Sequence, residues 1–144
     1  MATVELTTSA LDAAAAALAG KGAVHMINLV RYRERADYGG RSGYAPCSGR
    51  EAYLQRYAPA FARVAGHVVP GETFSVVLVA NAWATLVAPA GEAWDDIAIV
   101  EYGSFDMLRR IVESPEYASD AAPHRLAALA DWRFIATTKL QLAG

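Results

Sequence analysis

Glu101 and His25 are the residues of this chain best suited by type and placement to move a proton. Glu101 lies in the run Asp96-Ile97-Ala98-Ile99-Val100-Glu101-Tyr102, where period-two alternation puts it on one strand face with Ile97 and Ile99. An ionised carboxylate on an apolar face must be paired or be driven towards its neutral form. An antiparallel neighbour carrying residues 24–33 brings either His25 or Arg31 opposite Glu101. With His25 the pair is a proton-transfer couple. With Arg31 it is an inert ion pair, because a guanidinium holds its proton, and a purely structural pair is the plainer reading of either. Asn28 shares a face with Met26 and Val30, so its amide must find hydrogen-bond partners, in the core or on a ligand carbonyl or oxyanion. His124 follows Pro123 at a helix start that disfavours a cation, so it tends to the neutral form and suits a base or donor. Tyr53, Tyr57, Trp94, Tyr102 and Tyr117 offer walls for an aromatic or polyketide-like ligand, although Tyr53 and Tyr57 at helical spacing serve equally well as core.

Several chemistries are disfavoured. His25, His67 and His124 are far apart with no H-x-E or H-x-x-x-H spacing, and Cys47 is the one cysteine, so neither a metal centre nor an internal disulfide is expected. No dinucleotide or phosphate loop and no G-x-S-x-G context is present, and no cofactor is expected. Thirteen basic against 15 acidic residues, net −2 and interspersed, provide no positive field for nucleic acid. The apolar run 13–19 is short, alanine-dominated and lacks a basic flank, so a cytoplasmic protein without signal peptide or membrane span is expected.

The elements that must position these residues are legible from caps and periodicity. At 144 residues one domain is the default, and although 54% of them are apolar much of that share is alanine, so core-forming side chains are confined to a few segments. Residues 7–20 read as a peripheral helix with Leu11 and Leu18 as its large apolar side chains, placed on the domain or on a partner chain (domain boundaries 1–20 and 21–144). Residues 24–33 read as a strand with apolar residues on both faces. The glycine-rich stretch 38–46 reads as a loop long enough to be a lid. Ser48 and Glu51 form a capping box that opens a helix with Tyr53, Tyr57, Phe61 and Val64 inward, and Pro59 predicts a kink or two short helices near Ala58. Residues 74–80 and 86–88 are β-rich with a bend or bulge at Asn81-Ala82, and residues 96–102 form the third strand. Ser104 and Ser114 cap two further helical pieces. After Pro123 an amphipathic turn with Leu126, Leu129 and Ala130 inward leads to a last strand over residues 132–140.

The resulting order, β-α-β-β-α-β after an added N-terminal helix, predicts a ferredoxin-like α+β sandwich with strands ordered 4-1-3-2 and helices on one face. The other face is left bare, and pairing two such faces is the simplest way to cover it. The chain resembles an uncharacterised domain-of-unknown-function family of the dimeric α+β barrel superfamily. The resemblance runs from about Val24 to Leu140 and rests on His25-Met26-Ile27-Asn28-Leu29, Ser48-Gly49-Arg50-Glu51-Ala52-Tyr53, Trp94-Asp95, Ser114-Pro115-Glu116-Tyr117 and His124-Arg125 with Ala127-Ala128-Leu129 and Asp131. It implies a homodimer whose sheets close a barrel, with a pocket between each sheet and its helices. Related barrels bind haem through a histidine, but the Asn, Trp and His positions of this chain do not follow the spacing of the haem-degrading group. Two functions follow as expectations. One is a small cofactor-independent enzyme acting on an apolar, carbonyl-bearing metabolite by proton transfer, with isomerase, cyclase or monooxygenase chemistry. The other is a non-catalytic small-molecule-binding or stress-associated dimer.

Overall fold

The structure, a computed structural model, describes residues 2–142. Thr7 accepts a hydrogen bond from the Ala10 amide and starts helix α1 (Thr8–Leu18), which buries Leu11 in the main core and is tied to a later helix by an Asp12–Arg109 ion pair. Strand β1 (Val24–Tyr32) follows. The Ser48–Glu51 capping box forms as its spacing predicts, with reciprocal bonds of 3.0 and 3.1 Å opening the short helix α2 (Gly49–Glu51).

Pro59 then decides the backbone. It has no N–H for the Gln55 carbonyl four residues back, and its ring crowds that carbonyl. The chain relieves this by widening: Ala52–Tyr57 is π-helical, the Ala58 N–H reaches back five residues to the Tyr53 carbonyl, and helix α3 (Ala58–Val68) resumes with the proline in its first turn. Pro123 does the same later. After helix α4 (Phe105–Val112), capped by Ser104, a second π-helical turn at Tyr117–Ala121 ends with the Ala122 N–H on the Tyr117 carbonyl and hands over to helix α5 (Ala122–Ala128).

Strands β2 (Phe74–Asn81), β3 (Asp96–Tyr102) and β4 (Leu129–Thr137) join β1 in one antiparallel sheet ordered β2-β3-β1-β4, the expected ferredoxin-like arrangement. The helices cover the face carrying Val24, Met26, Asn28 and Val30, and Phe61, Val64, Leu108, Ile111 and Tyr117 pack there. On the opposite face the register aligns Leu78, Ile99, Ile27 and Ile135 in a row across all four strands, with Leu78 and Ile135 each 47% exposed.

Four expectations are corrected. The β2 irregularity falls between Val76 and Leu78, while Asn81 stays in register with Asp96 because its amide bonds that carboxylate. Residues 86–88 form no strand and lie in an exposed loop. β4 begins at Leu129, three residues early, since α5 stops at Ala128. Leu126 points outward, and the inward positions of α5 are Pro123, Arg125, Ala127 and Ala128.

Gly49 joins three of these elements. Its amide donates to the Arg33 carbonyl (3.1 Å), the Arg33 amide donates to the Ala128 carbonyl (2.8 Å), and a Cβ at position 49 would stand 2.2 and 2.6 Å from those two oxygens. Gly49→Ala is therefore expected to destabilise by more than about 3 kcal/mol, at the level of a severe overpacking defect. Gly66→Ala in α3, where the new methyl meets nothing within 4 Å, is expected to stabilise by about 0.5–1 kcal/mol, both read by urea denaturation.

Candidate functional site

The two widened turns stand off from the sheet and leave a cavity of about 160 Å3 between them and its covered face. Tyr53, Tyr57 and Tyr117 descend from the turns, Asn28, Ala98 and Tyr102 form part of the floor, and Val76 and Val79 lie at the β2 edge. Burial raises the pKa of the Tyr53, Tyr57 and Tyr102 hydroxyls, for Tyr57 with added repulsion from neighbouring Tyr117, so these phenols are neutral donors at ordinary pH. The hydroxyls of Tyr53 and Tyr102 have no hydrogen-bond partner among the described residues.

At one end the Tyr57 and Tyr117 hydroxyls meet at 2.9 Å, and Arg125 Nε donates to Tyr117 at 3.2 Å. Arg125 is only 6% exposed, lies 4.7 Å over the Trp132 ring and donates to the Val4 carbonyl at 2.6 Å, but faces no carboxylate among the described residues. A buried cation without a counter-ion polarises the two phenols in front of it. At the other end sits Asp96, 2% exposed and bordering the cavity. It accepts from Tyr32 (2.6 Å), Asn81 (2.9 Å) and Arg50 (3.1 Å). Burial, and then the Asp96 hydrogen bond, raise the pKa of Tyr32, which keeps the proton on the phenol as a donor to the carboxylate. On the floor Asn28 accepts from Trp132 Nε1 (3.1 Å) and donates to the Ala98 carbonyl (3.4 Å), so its amide is satisfied within the core.

Solved structures similar to the chain include two RPA0582 structures. The methylated RPA0582 protein is 32% identical, with 97% of this chain and 96% of that chain covered and a TM-score of 0.76. The chain belongs to the RPA0582 family. A second structure, the RPA0582 protein of unknown function from Rhodopseudomonas palustris, is 29% identical over 99% of this chain and 100% of that one, with a TM-score of 0.79. No protein-family model and no curated protein matches the chain.

This RPA0582-family chain gathers Asn28, Tyr53, Tyr57, Tyr102 and Tyr117 at one cavity, and leaves the other sequence candidates outside it. His25 and Glu101 are register partners and approach at 3.6 Å, but on the bare face of the sheet, with His25 Nδ1 buried and unpaired. Arg31 pairs with Asp131 (3.8 Å), so Glu101 faces the histidine and not the guanidinium. Trp94 lies under the Arg133 guanidinium, 5.1 Å from its ring, away from the cavity. His124 belongs to a separate cluster on the outer side of the helices. Its Nδ1 is 2.8 Å from the Tyr38 hydroxyl, to which Arg56 donates at 3.1 Å, and Tyr44 stacks on Tyr38 at 4.1 Å. Burial, followed by repulsion from Arg56 and Arg63, lowers the His124 pKa and favours the neutral ring.

Sequence reasoning passed over Tyr32, Asp96 and Trp132, and took Arg125, beside His124, for a surface contact, whereas it is buried. A residue signal existed for two: Arg125 is a charged side chain among the inward alanines of a short helix, and Asp96 opens a strand whose next four residues are all apolar. Asp96→Ala is expected to leave Tyr32, Asn81 and half-exposed Arg50 without their acceptor and to destabilise by about 3 kcal/mol, with Asp96→Asn milder, measured by chemical denaturation at neutral pH.

Proposed function

We propose that this chain is a small cofactor-independent enzyme that binds a single-ring, mainly apolar carbonyl compound between sheet and helices and moves a proton beside that carbonyl. The observation that carries the reading is Arg125, a buried cation that has no counter-ion among the described residues and stands behind the Tyr117 and Tyr57 hydroxyls at the wall of an apolar cavity. Donors backed by a fixed positive charge favour an oxygen that becomes negative during reaction, as a carbonyl does on enolisation. Asp96 is the one carboxylate bordering the cavity among the described residues and serves as the proton acceptor. It takes the hydrogen α to the carbonyl, the oxygen gathers charge against Tyr57 and Tyr117, and return of the proton to another carbon completes an isomerisation. Size selects the ligand: about 160 Å3 compares with cavities of about 150 Å3 that hold one benzene ring.

The second reading, a binding module without catalysis, is supported by the three donors already engaged by Asp96, which occupy the oxygens that a catalytic base would have to offer. Acetophenone in D2O separates the two. Saturable quenching of tryptophan fluorescence, together with enzyme-dependent deuteration of the methyl group that Asp96→Asn abolishes at unchanged binding, is the expected result. Binding without deuteration leaves the binding module, and absence of binding removes both.

We also infer that the bare sheet face pairs with a second copy, which would bury the Leu78–Ile99–Ile27–Ile135 row and place His25 and Glu101 between the two sheets. Soluble chains seldom expose an apolar patch four strands wide. Light scattering on a sizing column is expected to give twice the chain mass for the native protein. Ile135→Glu, half-exposed in the single chain, is expected to give a folded monomer with an unchanged far-ultraviolet spectrum.

A further inference from the structure

The Tyr38 cluster uses none of the machinery just described, and its geometry has a chemistry of its own. Arg56 Nη1 donates to the Tyr38 hydroxyl (3.1 Å), so the phenol oxygen is already an acceptor on that side and its proton is free to point at His124 Nδ1, 2.8 Å away. A neutral imidazole in the tautomer with its own proton on Nε2 accepts there. The arrangement is rigid. Arg56 is anchored by a 2.7 Å bond to the Ala45 carbonyl and lies 5.7 Å over the Tyr38 ring, Tyr44 stacks on that ring, and the His124 ring meets both tyrosines edge-on. Tyr38, Tyr44, Arg41 and Cys47 border a second cavity of about 220 Å3, and the Arg41 guanidinium has no hydrogen bond or ion pair among the described residues.

We infer that Tyr38, His124 and Arg56 form a nucleophilic centre, in which the Tyr38 oxygen attacks a small activated acyl compound whose carboxylate is held by Arg41. Hydroxyl nucleophiles are weak until an adjacent base takes the proton as the new bond forms, and base and nucleophile are here at hydrogen-bond distance. In the step, the Tyr38 Oη–carbonyl carbon bond forms and the bond from that carbon to the leaving oxygen breaks. The phenol proton passes to His124 Nδ1 and from there to the departing alkoxide. Arg56 faces the charge that grows on Oη. The product is an acylated Tyr38 and a free alcohol, with no oxidant or further reactant required.

Sulfonyl fluorides report such a centre directly, because the same oxygen attacks sulfur, fluoride leaves and His124 keeps the proton. The native protein is treated with 4-(fluorosulfonyl)benzoate and with the uncharged benzenesulfonyl fluoride, and sites are read by peptide mass mapping. Tyr38 is expected to be labelled at least tenfold faster than Tyr44, a tyrosine in the same cluster with 36% exposure and no bond to a base among the described residues. His124→Gln and Arg56→Gln are each expected to bring Tyr38 down to the rate of Tyr44, and Arg41→Met to slow the carboxylate probe alone. Each variant is checked by its melting profile, and the Tyr38-to-Tyr44 ratio within one sample is independent of protein yield. Equal labelling of the two tyrosines in the native protein, or a Tyr38 rate unchanged in both His124→Gln and Arg56→Gln, overturns the inference. Equal slowing of both probes by Arg41→Met overturns the assignment of the carboxylate to Arg41.

Discussion

Two missing N–H groups shape this molecule. Pro59 and Pro123 each stand one residue beyond a turn whose closing hydrogen bond runs back five residues instead of four, from Ala58 to Tyr53 and from Ala122 to Tyr117. A proline in a helix interior costs about 3 kcal/mol when the backbone stays α-helical. The widened turn avoids part of that cost by giving the displaced carbonyl ladder a new register. Its side effect is spatial. Each turn bulges, each carries tyrosines on its inner side, and the two bulges face one another closely enough for Tyr57 and Tyr117 to share a hydrogen bond. The cavity beneath them follows from backbone geometry, with Ala98 and Ala58 too small to fill it.

The second constraint is electrostatic. Burying an arginine without a carboxylate is costly, by several kcal/mol before compensation. Arg125 recovers part of this from the Trp132 face, worth about 2 kcal/mol or more for a desolvated pair, and part from the Val4 carbonyl and the Tyr117 oxygen. That arrangement also fixes the start of the chain. The Thr3 amide donates to Asp131 (2.9 Å) and the Trp132 amide to the Thr3 carbonyl (2.9 Å), so residues 3 and 4 run beside β4 and seal the guanidinium from water. Asp131 keeps a lowered pKa although burial opposes it, because the Thr3 amide and Arg133 outweigh the desolvation. A structural arginine would be served more cheaply by a carboxylate at this spot; none stands there among the described residues, and the guanidinium beside two phenols gives that end of the cavity its polarity.

Most of the fold was legible because its signals are local. The Ser48–Glu51 box, the Ser104 and Ser114 caps and the alternation of β1 and β3 each act within a few residues, and each formed where its spacing predicts. The strand order followed from the element order. What failed was what depends on distant partners. The bulge in β2 sits at Val76–Leu78 because Asn81 is held by Asp96, a contact across strands that no window around Asn81 displays. Leu86 and Val87 have strand-forming side chains but no neighbouring strand to pair with among the described residues.

The placement of the site illustrates the same limit more sharply. In a strand, residues one apart face opposite sides, so the choice between Glu101 with His25 and Asn28 with Tyr102 as cavity residues is a choice of parity. β1 is apolar on both faces, and parity could not be read from its composition. The helices settle it, by covering the even-numbered side of β1. The aromatic stripe carried better information, because Tyr53, Tyr57 and Tyr117 come from helical segments that can only face the sheet they cover. Side chains on covering elements identify a sheet–helix cavity more reliably than strand residues do, since a helix has one inner face and a strand in a two-sided sheet has two.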